Sequence, residues 1–400
     1  MMDRVRAIFV RHNTGLTVAA LILLTVVALR TMNAGFYRLV WEAGRPGAID
    51  LKYFHTFATS WCAGQPIYQS MPAAVYPPAS YIILWPLLGW LPVPVARWCW
   101  AALMVLALVG LIRLLIQASG AATTRERVFL TLLVLGSNAV GVCVGNGQLI
   151  LFLMPVLLLA LLLVARGPVD WRRDLLAAVL FLVTLVKPSV SAPFFWLMIV
   201  LPRRLRPAIL VVLGYAALTL AAATFQEAGL PLLLRDWLWR GSTSAAPNGY
   251  GHLQILLAGL GLRSWMFPAS LVILMALGIW CYRQRDADVW LLLGVTGIVA
   301  RVWAYHRVYD DVLLMLPLIT LYRLAKHHGV STNPGGVAAG LCGLLSLTLI
   351  APGPWHNIAP PWRDLYDGFH VGTWLAALGY LLLASARRTA VPSTQNGSSD

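Results

Sequence analysis

Charged residues are scarce in this chain: Asp, Glu, Lys and Arg make up 11% of its 400 residues. Soluble domains carry about 25%, so a water-facing globule is excluded. Acids are the scarcer sign, 15 Asp and Glu against 30 Lys and Arg. The five cysteines, Cys62, Cys99, Cys143, Cys281 and Cys342, lie far apart and mostly inside apolar runs. Neither a disulfide framework nor a thiolate metal site fits that spacing. A Walker loop, a dinucleotide glycine fingerprint and metal-ligand spacings are also missing. Nucleotide-driven transport and use of a cytosolic nucleotide-sugar donor both lose support. No internal repeat, parallel or inverted, is visible along the chain.

What is present is apolar. With 59% hydrophobic residues and a mean hydropathy of +0.74, the chain reads as an all-α, polytopic integral membrane bundle. At about 20 residues per crossing there is room for about a dozen helices. One integral domain is expected over 1–386, with a polar, disordered cytoplasmic tail over 387–400. The net charge of +15 is dispersed in short clusters between apolar runs: Arg166, Arg172 and Arg173; Arg203, Arg204 and Arg206; Arg283 and Arg285; Arg323 and Lys326; Arg387 and Arg388. That is the pattern of the positive-inside rule and places these loops in the cytoplasm. No aromatic-basic patch accompanies them, so no nucleic-acid partner is expected. The run Leu16–Leu29, preceded by Arg4, Arg6 and Arg11, reads as an uncleaved signal anchor.

Apolar segments fall at about 13–34, 76–92, 95–117, 127–144, 149–166, 174–187, 189–202, 207–225, 264–282, 289–305, 308–323, 335–351 and 369–386. These thirteen cannot all cross if the N-terminus and the basic clusters share one side, because the crossings must then be even in number. The suspects are 76–92, broken by Pro77, Pro78, Pro86 and Pro92, and the stretch Ser137–Gly147, which could be re-entrant. About twelve crossings are expected. The junctions at Gly145–Gln148, at Lys187–Pro188, at 226–251, at Tyr305–Arg307 and at 352–368 then share the face opposite the basic clusters. Trp237, Trp239, Trp355 and Trp362 in those loops suit the headgroup layer.

The first long polar interruption, Gly47–Pro86, overlaps a catalytic loop expected over 35–75 and places Asp50 on the same face. Leu51, Phe54, Phe57, Ala58, Trp61 and Cys62 recur at helical spacing and predict an amphipathic helix over 50–63, lying on the bilayer surface with Asp50 near its N-terminus. Asp50, with Lys52, Tyr53 and His55, is either a helix cap and its solvated neighbours or a general base beside substrate-binding groups. Lys187, before a proline at a helix end, either snorkels or holds a phosphate. Within RVWAYHRVYDD (301–311), Arg301, His306 and Arg307 either neutralise Asp310 and Asp311 or clamp a phosphate. Gly145–Gln148 and the loop residues His252 and Gln254 are weaker candidates, among which Gln148 and His252 are taken as substrate-binding.

In order and spacing, GAIDLKYFHTFATSWCAGQPIY, YPPASYIILWPLL, VGNGQLILFLMPVLLLALLL, LVKPSVSAPFF and WAYHRVYDDVLLMLPL resemble the GT-C superfamily of lipid-linked-sugar glycosyltransferases. The closest resemblance is to glycosyltransferase family 87, the polyprenyl-phosphate-mannose-dependent mannosyltransferases of bacteria. The resemblance implies a multi-pass enzyme of the bacterial inner membrane whose first extracytoplasmic loop supplies the catalytic carboxylate, here Asp50. It implies inverting transfer from a polyprenyl-phosphate sugar to a glycolipid or polysaccharide acceptor, with no metal and no cofactor. Residues after Arg323 match nothing in that pattern. The competing expectation is a transporter or flippase for a lipid-linked or anionic solute, with Arg301, Lys187 and Asp310 lining its path.

Overall fold

The computed structural model describes residues 2–44, 46–165, 169–243 and 249–389, and these contain helices and no strand. In chain order the helices are α1 (Met2–Val40), α2 (Ile49–Cys62), α3 (Ile67–Ser70), α4 (Pro78–Leu88), α5 (Val93–Ser119), α6 (Thr124–Gly136), α7 (Asn138–Asn146), α8 (Ile150–Ala165), α9 (Trp171–Thr184) and α10 (Pro188–Ser191). They continue as α11 (Phe195–Val200), α12 (Arg206–Ala223), α13 (Leu230–Thr243), α14 (Leu253–Gly259), α15 (Met266–Arg283), α16 (Val289–Val302), α17 (Met315–His328), α18 (Asn333–Ile350) and α19 (Trp362–Thr389). A 3-10 stretch, Val308–Leu314, leads into α17. The starts are written locally. Thr123 and Glu126 form a reciprocal capping box on α6, and Asp170, Asp288 and Thr332 accept backbone N–H groups at the starts of α9, α16 and α18. Each satisfies donors that the first helical turn leaves unpaired.

The bundle has two chemically distinct ends. At one, Arg204 grips the buried Asp174 (2.5 Å), Lys326 reaches Glu126 (2.9 Å), Arg323 reaches Asp288 (3.2 Å) and Arg203 pairs with Asp286. These bonds tie together the loops that carry the basic clusters. At the other end, Arg38 near the close of α1 donates to Asn146 of α7 (3.1 Å) and Ser80 of α4 to the Val186 carbonyl (2.8 Å). There too, the Trp61 indole meets the Ala222 carbonyl of α12 (2.9 Å), and the Trp303 indole the Ser189 carbonyl (2.8 Å).

Among the described residues the chain passes between these ends twelve times: through α1, α5, the pair α6–α7, α8, α9, α10–α11, α12, α15, α16, α17, α18 and α19. Six of these passes are individually long and apolar enough to cross a membrane, seven with α6–α7, which bends by 50° at Ser137. Shorter apolar helices, α8 and α16 among them, are largely buried. The segment 76–92 is the one that does not pass. Its helix α4 has 11 residues, about 16 Å of rise, and it begins and ends at the same end. Tyr76, just before it, takes the Tyr68 and Tyr81 hydroxyls on its carbonyl, and Leu91, just after it, meets His55 of α2 (2.8 Å).

The predicted amphipathic helix is present as α2, but its apolar stripe does not lie free for lipid. Leu51, Phe54, Phe57, Ala58 and Trp61 are buried against α4 and its neighbours, because the proline-broken α4 has no membrane-spanning partner and covers that face instead. Of the four loop tryptophans, Trp239, Trp355 and Trp362 are exposed as expected for the headgroup layer, whereas the Trp237 indole turns inward to the Val75 carbonyl. The tail expected over 387–400 lies outside the described residues from 390 onward, and 387–389 continue α19.

Candidate active site

Asp50 lies in the first turn of α2, at the end of the bundle opposite the basic loops. Two features of the backbone put it there. The Ala48 N–H donates to the Gly145 carbonyl (3.1 Å), joining the start of α2 to the end of α7. Next to it Gly147 closes α7 with φ +69°, and a Cβ on it would stand 2.7 Å from the Leu51 Cβ. Only glycine meets both demands. Gly147→Ala should cost about 1–2 kcal/mol for the left-handed backbone alone, with overlap against α2 added. Thermal unfolding in detergent measures it, and turnover should fall with it because α2 carries Asp50.

The Asp50 carboxyl is largely enclosed. Burial raises its pKa above the ordinary aspartate value, and this is opposed by the nearby Lys187 ammonium, by a hydrogen bond from the Asn146 side chain and by Arg307. Its Oδ2 has no hydrogen-bond partner. The phenols of Tyr76, Tyr305 and Tyr309 all feel its charge, so they stand in its neighbourhood.

Lys187, whose charge acts on Asp50, stands immediately before α10, with Pro188 at the first helical position. Its buried Nζ donates to Asp310 Oδ1 (2.5 Å) and lies 4.6 Å from the centre of the Tyr309 ring. Asp310 is the hub of this cluster. It also takes the Arg307 N–H (3.1 Å) and stands 3.0 Å from His306 Nδ1. His306 is wholly buried, and its Nε2 has no partner. Burial lowers its pKa, which the Asp310 charge opposes, so the ring is neutral at pH 7. Arg307 is exposed and donates through Nε to the Tyr305 hydroxyl.

The remaining sequence candidates divide. Arg301 is fully buried and committed elsewhere: Nε donates to Asp311 (2.5 Å), Nη1 and Nη2 donate to the Tyr250 carbonyl, and the guanidinium lies over the Tyr250 and Trp374 rings. The same Asp311 accepts the Tyr250 hydroxyl. This is the ionic staple that near-balanced charge in 301–311 allowed, built on Asp311, while Asp310 pairs with Lys187. Gln148 is buried with its Oε1 on the N–H of Leu149 (2.9 Å), so it finishes a turn. His252 is buried, accepts the Ile255 N–H at the start of α14 (3.3 Å) and meets the Tyr305 ring edge-on. Tyr53 is exposed and stacks on Phe57, and His55 meets the Leu91 carbonyl. The sequence reading selected neither Asn146 nor Tyr305, and took Asp310 only as a charge to be neutralised or as part of a transporter path. The glycine-flanked turn that contains Asn146 was the available signal, but the reading took its neighbour Gln148. No cluster of three or more His, Cys, Asp or Glu side chains arranged for a metal is found among the described residues.

A bundle with several membrane-length apolar helices that gathers a carboxylate, a lysine and a histidine at one end defines a polytopic membrane protein with a polar cluster. The model of glycosyltransferase family 87 matches residues 74–308, more than half of the chain. The chain belongs to that family and is a membrane glycosyltransferase, acting on a sugar donor and an acceptor. The matched span includes Lys187, Arg301, His306 and Arg307 and begins after Asp50. No curated protein and no solved structure matches the chain. Membership in a transferase family displaces the transporter expectation.

Proposed function

We propose that the protein transfers a sugar, mannose in the first instance, from a polyprenyl-phosphate donor to a glycolipid or polysaccharide hydroxyl, with inversion and with Asp50 as general base. The observation that carries this reading is the enclosed Asp50 carboxyl, whose Oδ2 is unpartnered and whose charge is felt by Lys187 and Arg307. An acceptor hydroxyl is too weak an acid to attack unaided, and Asp50 would take its proton as the oxygen reaches the anomeric carbon. The bond from that carbon to the phosphate oxygen breaks on the opposite side. Polyprenyl phosphate leaves with its charge held by the buried Lys187 and the exposed Arg307, beside the neutral His306, as fixed cations aimed at a developing charge. Arg301 stays committed to its staple. The bias of basic loops toward the far end favours an extracytoplasmic site in a bacterial inner membrane.

Incubation of the purified protein with a panel of polyprenyl-phosphate sugars, followed by mass analysis of released polyprenyl phosphate and extended acceptor lipid, tests the reading. Release with one sugar supports it, and donor left intact across the panel in the presence of membrane lipid extract sinks it. Two consequences concern Lys187. Lys187→Ala should raise the donor KM about ten- to a hundred-fold, the worth of a charge-assisted hydrogen bond, with the acceptor KM little changed. It should also move the acidic limb of the rate profile. A general base works when ionised, so activity is lost as pH falls through the raised pKa of Asp50. Because Lys187 holds that pKa down, its removal shifts the loss to higher pH, read from turnover between pH 4 and 9.

A further inference from the structure

We propose that Asn146 and Arg38 are positioning residues for Asp50, a two-link chain that fixes which way the carboxylate faces; this rests on the reading of Asp50 as the base. Arg38 Nη2 donates to Asn146 Oδ1 (3.1 Å), and Asn146, next to the Gly145 that takes the Ala48 N–H, acts on Asp50 by favouring its ionised form. A guanidinium only donates and an ionised carboxylate only accepts. The Asn146 oxygen therefore belongs to Arg38, and its NH2 group is turned on Asp50. Arg38 is itself braced by the Pro46 carbonyl (3.3 Å) and by Glu42 (3.5 Å). The backbone holds the two ends of the chain at a fixed separation, through the Ala48–Gly145 bond and the Gly147–Leu51 contact already described.

The device has a chemical point. An amide donor beside the carboxylate stabilises the ionised form, and Oδ2 has no partner of its own. Other groups also set the state of Asp50: Lys187 at α10, Arg307 and Asp310 around the 3-10 stretch, Tyr305 and Tyr309 beside them, and Tyr76 before α4. Arg38 and Asn146 differ from these in reaching Asp50 from behind, through α1 and α7. In sequence they lie 108 positions apart.

The test reads Asp50 directly. Its carboxyl titration is followed by infrared difference spectroscopy of the whole purified protein, with Asp50→Asn as the blank, in Asn146→Ala, Asn146→Asp, Arg38→Met and Arg38→Lys. The midpoint should rise in Asn146→Ala and in Arg38→Met, and rise furthest in the isosteric Asn146→Asp, which sets a second carboxylate beside the first. It should stay near the wild-type value in Arg38→Lys, which still donates. With polyprenyl-phosphate mannose as probe, turnover should fall about ten- to a hundred-fold in Asn146→Ala, the cost of a misplaced reacting group, with the donor KM unchanged. Unmoved midpoints in folded Asn146→Ala, Asn146→Asp and Arg38→Met overturn the inference, since a packing role alone would leave the titration untouched. Failure of the base reading shows differently, as full turnover in Asp50→Asn whatever the midpoints do.

Discussion

Asp50→Asn should lower sugar transfer by about a hundred- to ten-thousand-fold, the range typical of a positioned general base. Donor and acceptor KM should change little. The substitution keeps size and shape, so α2 still starts at Ile49 and still packs against α4. It removes the one property the chemistry needs, an oxygen able to accept a proton. The enclosed carboxylate has a raised pKa because burial penalises its charge, and Asn ends that penalty. The variant should therefore unfold at the same temperature as the parent or higher, the pattern of a residue kept for function at some expense to stability. Loss of transfer with retained unfolding temperature is the expected pair of results. Retained transfer removes Asp50 from the mechanism, and loss of both makes it a structural residue.

The second large effect falls on stability. Arg301→Ala should destabilise the protein by about 3–5 kcal/mol, the usual result of stripping one partner from a buried ion pair. Asp311, 5% exposed, would keep only the Tyr250 hydroxyl, and the Tyr250 and Trp374 rings would lose the guanidinium between them. A double replacement, Arg301→Met with Asp311→Leu, should recover part of the loss because neither charge is then stranded. Thermal unfolding in detergent distinguishes the two, and the same preparations settle what Arg301 does. If Arg301→Ala unfolds normally and only the donor KM rises, the guanidinium belongs to the phosphate after all and the staple reading falls.

The helical membrane architecture was legible in the sequence because hydrocarbon leaves a chain so poor in charge few alternatives to helices. Parity was legible too. The basic clusters gather at one end of the bundle, and the prolines of 76–92 marked the segment that turns back. Harder to see was the difference between one buried charge and the next. Asp310 and Asp311 are adjacent in sequence, yet one binds Lys187 and the other serves the staple through Arg301. That assignment depends on the pitch of the 3-10 stretch that carries them, which sequence spacing does not specify. Asn146 was missed for a related reason: an amide in a glycine turn reads as turn chemistry until its two faces are seen to meet Arg38 and Asp50.

The inner helix α16 has 14 residues, about 21 Å of rise, against a hydrocarbon layer of about 30 Å. The chain turns at its end in irregular and 3-10 backbone, which is tolerated at such depth only under a cover of protein. On the proposed reading, the polar cluster at the end of this short helix lies deeper than the ends of the longer apolar helices, so its depth depends on how thick the surrounding lipid is. A thinner bilayer would bring water-borne acceptors closer to the cluster, and a thicker one would favour substrates that arrive from within the leaflet.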